Sequence, residues 1–338
     1  MNHSVKILLF LCVLTMFFTS CKKDNNSLYG ISINPSSLVG TEAEAFTIQQ
    51  LRMFSASNTN VAYMMQNSFA DTIRNNICFS PIYLINNLLL DTSLSNWTKA
   101  YTNNYALKFN NHNALINCIN SMQNTIKEID SSLYIFTKID SINENHINIS
   151  EQISIEMKYM LKENNDFDNI FTNISGDKPR IDFIEISDSI SFYSSDDERV
   201  VEIPTNNGAY NLMLFMPTDK DIMRYIKTFD EEKYISIIQS LHERQISVTM
   251  PLIGINNSNF TLSIPSFVYN DSTISLDKKI NINSSFQIRQ HLSSTQVTGV
   301  SMQTKPSETI KYNSPFMFIL RGRNTNAIMF IGLYLTAK

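Results

Sequence analysis

Histidine is the side chain best suited to metal binding and to acid–base catalysis near neutral pH, and this chain has five histidines. His242 is followed by Glu243, but no second histidine stands four residues after it, so a zinc-binding helix of the His-Glu-x-x-His type is excluded. The sequence also lacks a Gly-x-Ser-x-Gly turn and a Cys-x-x-Cys pair. We expect no enzymatic activity, no metal and no cofactor, although a Ser-His-Asp set assembled from distant positions stays open. The histidines are scattered: His3, His112, His146, His242 and His291.

The low glycine content and the small net charge exclude two further classes of function, phosphate binding by a glycine-rich loop and nucleic-acid binding. The chain has only 8 glycines in 338 residues, and they are too widely spaced to form a local phosphate-binding loop. The net charge is −4, and no run of lysine and arginine interleaves with aromatic residues, so a nucleic-acid partner is not expected.

The four cysteines divide between the N-terminus and the rest of the chain. Cys12 and Cys21 lie in the first 21 residues, whereas Cys78 and Cys118 stand in apolar stretches with no metal-binding spacing. Buried free thiols are the favoured interpretation for the latter two, with a disulfide as the alternative.

The N-terminus has the pattern of a secretion signal. An apolar run from Ile7 to Phe18 is too short to span a bilayer. The sequence Phe18-Thr-Ser-Cys21 resembles a bacterial lipobox, with an ordinary secretory signal as the alternative. We predict a signal peptide over 1–20 and lipidation of Cys21, with residues 21–42 as the acylated cysteine and tether. The charged tether also resembles surface-export signals, which predicts an outer-membrane lipoprotein of the bacterial cell envelope.

The spacing of apolar residues predicts helices early in the chain and strands late. Ser80 and Pro81 are typical of a helix start, which places a buried helix over 82–90. Other helices are predicted over 43–75 with a break near Ser57 and Asn58, over 113–129 and 150–164, and in two pieces between 221 and 241. Strands are predicted over 77–79, 132–139, 199–204, 210–216, 245–250, 316–320 and 327–331.

These elements lack regular alternation of strand and helix, which favours an α+β fold with a mostly antiparallel central sheet in one domain over 43–338. The last two strands are almost continuously apolar, so we expect a C-terminal hairpin buried on both faces.

The order of the motifs resembles the serpin family. Asn76-Ile-Cys-Phe-Ser-Pro-Ile82 is similar to the family's NIFFSP segment, and Ser314-Pro-Phe-Met-Phe-Ile-Leu-Arg321 with Ala327-Ile-Met-Phe-Ile-Gly332 is similar to its C-terminal hairpin. The segments 200–204, 211–217 and 241–251 match the block between them. The resemblance spans most of 45–338 and implies a monomeric inhibitor of a serine or cysteine protease.

In that family a protease cleaves an exposed loop, and the hinge at the start of the loop inserts into the central sheet as a new strand. The resemblance places the bait loop at about 291–312. Its candidate scissile region comprises Met302, Gln303, Thr304 and Lys305. The hinge maps onto residues 289–299, where the positions of interest are His291, Leu292, Ser294, Gln296, Thr298 and Gly299.

The hinge departs from the family's pattern. Only Thr298 and Gly299 agree, whereas His291 replaces a glycine and Gln296 and Val297 replace small alanines. Larger side chains at positions that must enter a packed interior cost roughly 1–3 kcal/mol each. Two hypotheses follow: a protease inhibitor that uses this loop, and a non-inhibitory binding or structural protein that has lost loop insertion.

The resemblance also predicts two changes around the sheet. Tyr83 stands where the family has a serine in the region that parts during insertion. The stretch around 165–195 is too short for the family's usual helix and strand, so we expect part of the central sheet to be deleted or redrawn there.

Overall fold

The computed structural model describes residues 46–65, 73–162, 169–206, 208–264, 266–290 and 308–338. The described helices are α1 (Ile48–Met64), α2 (Pro81–Leu90), α3 (Ser95–Asn104), α4 (His112–Ile129), α5 (Ile222–Lys227) and α6 (Glu231–Ser240). None of them is long and apolar enough to cross a membrane.

The strands of the first half are β1 (Ile77–Phe79), β2 (Leu133–Ile142), β3 (His146–Met157), β4 (Met160–Lys162), β5 (Phe183–Ser194), β6 (Glu198–Pro204) and β7 (Tyr210–Pro217). Those of the second half are β8 (His242–Pro251), β9 (Gly254–Leu262), β10 (Phe267–Tyr269), β11 (Ser272–Ile274), β12 (Lys279–Gln290), β13 (Glu308–Lys311), β14 (Phe316–Gly322) and β15 (Ile328–Tyr334). The α+β class is confirmed.

Two large sheets form from these strands. A nine-stranded sheet has the order β1-β15-β14-β7-β6-β5-β8-β13, with β4 attached to β5. A four-stranded sheet has the order β2-β3-β12-β9. The sheets meet where Phe286 of β12 stacks on Phe318 of β14, with ring centroids 5.2 Å apart, and contacts Phe330 of β15 at 4.9 Å. Their contact forms part of one extensive core.

Local sequence signals placed several elements correctly. Ser80 caps α2 by accepting a hydrogen bond from the Tyr83 backbone N–H, and Pro81 occupies the first turn, as predicted. Every residue of β14 and β15 is buried, so the C-terminal hairpin is buried on both faces as expected. Cys78 and Cys118 are free thiols, as favoured, but only Cys78 is buried, whereas Cys118 is partly buried.

The predicted break near Ser57 and Asn58 is wrong, because α1 runs through both residues. The Ser57 hydroxyl donates to the Met53 carbonyl 2.9 Å away, within the same helix. Asn58 donates to the Asn326 carbonyl at 3.1 Å and accepts from the Ile328 N–H at 2.8 Å. Both polar side chains are therefore satisfied inside the core and need no turn.

The predicted helix over 150–164 is also wrong. Residues 146–157 form β3, in which Ile147, Ile149, Glu151, Ile153 and Ile155 alternate as buried positions with more exposed residues between most of them. A period of two is that of a strand with one buried face, and β2 and β12 pair with it on either side. Residues 160–162 form β4.

Around 165–195, where part of the central sheet was expected to be deleted or redrawn, β5 pairs with β6 and β8 in the nine-stranded sheet and contributes nothing to the four-stranded sheet. In the four-stranded sheet, residues 143–145 alone connect β2 to β3. Those two strands therefore form a tight antiparallel hairpin.

Candidate functional site

The candidate site is the seam between β3 and β12, which lies at the start of the predicted bait loop. β12 ends at Gln290 in the four-stranded sheet, and the chain resumes as β13 at Glu308 in the nine-stranded sheet. Residues 291–307 therefore connect the two sheets. The predicted hinge and scissile residues, from His291 to Lys305, lie outside the described residues, as does Cys21.

The predicted C-terminal limit of the loop at 312 needs correction. Residues 308–311 form β13, which pairs in parallel with β8 from Glu308 opposite Ile246 to Lys311 opposite Thr249. Tyr312 is fully buried, and its hydroxyl donates to the Leu214 carbonyl at 3.0 Å. The segment after 307 is fixed to the sheet, so the loop ends there.

Along the seam, β3 and β12 are parallel neighbours. Their register is continuous from His146 opposite Lys279 to Met157 opposite Gln290, the full length of both strands. The outer neighbours β2 and β9 are antiparallel to β3 and β12 respectively. The seam is thus the one parallel pairing in this sheet, as far as the described residues show.

The end of the seam next to the loop carries two polar contacts. An Arg289 guanidinium nitrogen lies 3.5 Å from a Glu156 carboxylate oxygen, which joins directly opposed residues of β12 and β3. The Gln290 side chain donates to the Tyr159 carbonyl at 3.0 Å. Both groups are partly exposed, so the contacts fix geometry more than they add stability.

The inner face of the seam holds a carboxyl group that sequence reasoning missed. Glu151 of β3 is 2% exposed. One of its oxygens accepts from the Ser80 backbone N–H at 3.1 Å, and the other accepts from the Thr137 hydroxyl at 3.0 Å. The sequence signal for this buried group is that Glu151 has the same two-residue spacing as the apolar positions of β3. The prediction of a helix over 150–164 does not reveal that spacing.

Burial raises the pKa of Glu151 to about 8, although the hydrogen bonds from Ser80 and Thr137 act to lower it. Burial, with a smaller contribution from Glu151, also raises the pKa of the Cys78 thiol. The ion pairs of the described residues do not include Glu151. Its charged form would therefore lack a compensating cation.

Two residues of the NIFFSP-like segment, Asn76 and Ser80, connect the N-terminal half to the C-terminal hairpin and the residues that follow it. Asn76 accepts from the N–H groups of Leu335 and Thr336 at 2.6 and 2.8 Å. The Ser80 hydroxyl donates to the Met329 carbonyl at 2.6 Å. Tyr83, three residues after Ser80, is buried, and burial raises its pKa. These contacts hold α2 against β15, beside the seam.

The described residues include a polar cleft but no cluster of metal ligands. No group of three or more histidine, cysteine or acidic side chains could hold a metal ion in the parts of the chain that are described. A polar cleft of about 600 Å³ lies beside β9 and the C-terminus, where Asp182 and Lys338 are its charged lining residues. Its remaining lining is mostly amides, hydroxyls and apolar groups.

No protein-family model matches the sequence, and no curated protein matches it at a significant level. Solved structures do match this chain in their fold. SRPN18 from Anopheles gambiae matches with a TM-score of 0.58 and 10% identity over 85% of this chain and 99% of its own. Native protease nexin-1 with heparin matches with a TM-score of 0.57 and 12% identity over 86% of this chain and all of its own. A structure described as a tumour suppressing serpin gives 0.60 and 12% over the same shares.

Proposed function

We propose that this chain, whose fold is that of the serpins, is a serine-type protease inhibitor that presents residues 291–307 to a protease and inserts the cleaved loop between β3 and β12. The observation that carries the proposal is the parallel pairing of those two strands at the start of the loop. A chain that leaves β12 at Gln290 and turns back runs antiparallel to β12. Because β3 is parallel to β12, the same segment is antiparallel to β3 as well, so one strand satisfies both edges.

The other side of β12 does not offer this fit. β9 is antiparallel to β12, so a returning segment placed there would be parallel to β9. Residues 291 onward also begin directly where the seam ends, which needs no long connection. The fixed position of β13 means that full insertion requires a cut in the loop, because both ends are otherwise held by sheets.

The covalent step belongs to the protease. Its serine oxygen attacks a carbonyl carbon between Met302 and Lys305, an ester forms, the peptide C–N bond breaks, and the departing amine takes the proton. Insertion of the loop then carries the ester-linked protease with it before water can release the enzyme. The inhibitor's residues supply the bait and the movement and do no catalysis.

A second candidate function is non-inhibitory binding. The specific observations in its favour are the contacts of Arg289 with Glu156 and of Gln290 with Tyr159, which close the seam where insertion would begin. The bulky residues at His291, Gln296 and Val297 act in the same direction. Under this alternative a protease cleaves the loop and dissociates without a stable covalent complex.

The experiment is a covalent-complex assay. The chain from residue 22 is incubated with trypsin-like, elastase-like and papain-like proteases and separated in SDS. The proposed function predicts a band at the mass of the protease plus the N-terminal fragment that ends at the cleaved bond, with at least one serine protease, and more of it when His291→Gly, Gln296→Ala and Val297→Ala are combined. Loop cleavage without such a band, in both the wild type and this triple variant, would favour the second candidate.

We also propose that Cys21 is acylated and anchors the protein in the bacterial outer membrane. The support is the lipobox-like sequence before Cys21 and the polar tether after it. Growth with a labelled fatty acid should label the wild type and leave Cys21→Ala unlabelled. Equal labelling of both would contradict the anchor.

A further inference from the structure

We propose that Glu151 is a proton-controlled latch on the seam between β3 and β12: the closed seam accommodates the neutral acid, and ionisation loosens the seam. Its biological role depends on the proposed function, because this seam is where the loop would insert. The latch itself is a property of the folded chain and can be tested without a protease.

Glu151 is placed to act on the seam. It lies within β3, directly opposite Ser284 of β12 in the continuous register, and both side chains are buried. The Ser284 hydroxyl has no hydrogen-bond partner among the described residues. The carboxyl group also contacts Ser80 at the start of α2 and Thr137 of β2. Glu151 therefore joins β3 to α2 and β2, while its opposite neighbour on β12 makes no compensating bond.

Among the residues that the structure describes, no positive charge faces Glu151 from the elements around it. Cys78 on β1 and Tyr83 in α2 are the titratable groups on its side, and both are neutral at physiological pH. α2 and β15 contain no charged residue. The charged residues of β2 and β12, such as Lys138 and Arg289, are exposed on the opposite face.

Both oxygens of the neutral Glu151 side chain can form hydrogen bonds while the seam stays closed. The Thr137 hydroxyl, which donates to the carboxyl group in the structure, rotates to accept from the protonated oxygen, while the other oxygen accepts the Ser80 N–H. The ionised form accepts from only two donors and has no contact with water. Such an environment is costly for a carboxylate. Parting of β3 from β12 admits water to the carboxylate, so ionisation favours the open seam.

The sign of the pH effect follows from the pKa. The closed state has a pKa of about 8 for Glu151, and the open, hydrated state returns toward the usual value near 4.5. The closed state therefore binds more protons between these values. The seam loses stability as pH rises through this window and stays constant above about pH 8.

The test is amide hydrogen exchange of β3 and β12 from pH 6 to 9, corrected for intrinsic exchange rates. One proton changes an opening equilibrium by at most about tenfold per pH unit, so we expect opening to increase by up to about 100-fold between pH 6 and 8 and then to level off. Glu151→Gln should show no such increase. Glu144→Gln, an exposed change in the turn before β3, should keep the wild-type profile.

A second variant keeps the test decisive if Glu151→Gln folds poorly. Thr137→Val removes one hydrogen bond to the charged form, so the levelling point should move to higher pH. A flat wild-type profile, an unchanged slope in Glu151→Gln, or an unmoved levelling point in Thr137→Val would overturn the latch. Failure to trap a protease would leave these results unaffected, so the two proposals fail separately.

Discussion

Arg321 and Glu202 form an ion pair inside the nine-stranded sheet. Each residue is 5% exposed, and the Arg321 Nε lies 2.5 Å from a Glu202 oxygen. A second guanidinium nitrogen donates to the Asn326 side chain at the turn of the C-terminal hairpin. Removing one member of such a pair leaves an uncompensated buried charge, which is more damaging than losing the pair.

We therefore predict that Arg321→Met lowers the free energy of unfolding by about 3–5 kcal/mol in urea denaturation. Arg224→Met is the control, because Arg224 pairs with Asp219 at the exposed surface and should change stability by less than about 1 kcal/mol. Combining Arg321→Met with Glu202→Leu should recover much of the loss. Equal effects of Arg321→Met and Arg224→Met would contradict the structural role of the buried pair.

At the scale of single residues, sequence reasoning found caps and missed buried polar groups. Ser80 was correctly placed because capping depends on its immediate neighbours. The local sequence around Asn58 favours a helix break, because the partners that satisfy its side chain, Asn326 and Ile328, lie far along the chain. Glu151 was overlooked for the same reason, because Ser80 and Thr137 come from other elements.

At the scale of elements, Gly332 shows why the hairpin strand β15 needs a glycine. It lies between Cys78 of β1 and Phe318 of β14. A Cβ atom there would lie 2.2 Å from the Phe318 ring and 2.6 Å from the Ile77 carbonyl oxygen. The second atom belongs to the backbone, so the clash cannot be relieved by a side-chain rotation alone.

Gly332→Ala should therefore destabilise the protein by about 1–3 kcal/mol or prevent folding, as overpacking of a close contact does. Gly254→Ala is the matched control, since an added Cβ there meets nothing within 4 Å. Thermal unfolding of both variants compares them. A Gly332→Ala protein as stable as Gly254→Ala would show that the β1–β15–β14 contact is looser than described.

The hairpin was predictable because its two strands are continuous apolar runs that are close in sequence. β3 was not predictable, because Ile153, Met157 and Met160 also recur at helical spacing. Only the pairing of β3 with β2 and with the distant β12 shows that this segment is a strand. β13 was not predictable either, because only its parallel pairing with the distant strand β8 distinguishes it from the loop.

At the scale of the whole molecule, the loop joins two sheets that stay packed together. β12 belongs to the four-stranded sheet and β13 to the nine-stranded sheet, and Phe286, Phe318 and Phe330 hold the sheets against each other. Motif order indicated the serpin-like arrangement, but local sequence could not show which sheet each end of the loop joins. That connectivity is what makes cleavage a requirement for insertion.

The central claim is that the seam between β3 and β12 accepts the cleaved loop, and the melting temperature before and after cleavage tests it most directly. The loop is cut between Met302 and Lys305 without denaturant, the position is verified by mass spectrometry, and the thermal unfolding of both forms is compared. Insertion adds hydrogen bonds along two strand edges, so the account predicts a rise on the order of 10 °C or more, which Thr298→Arg in the hinge should abolish. An unchanged melting temperature in the cleaved wild type would contradict the account.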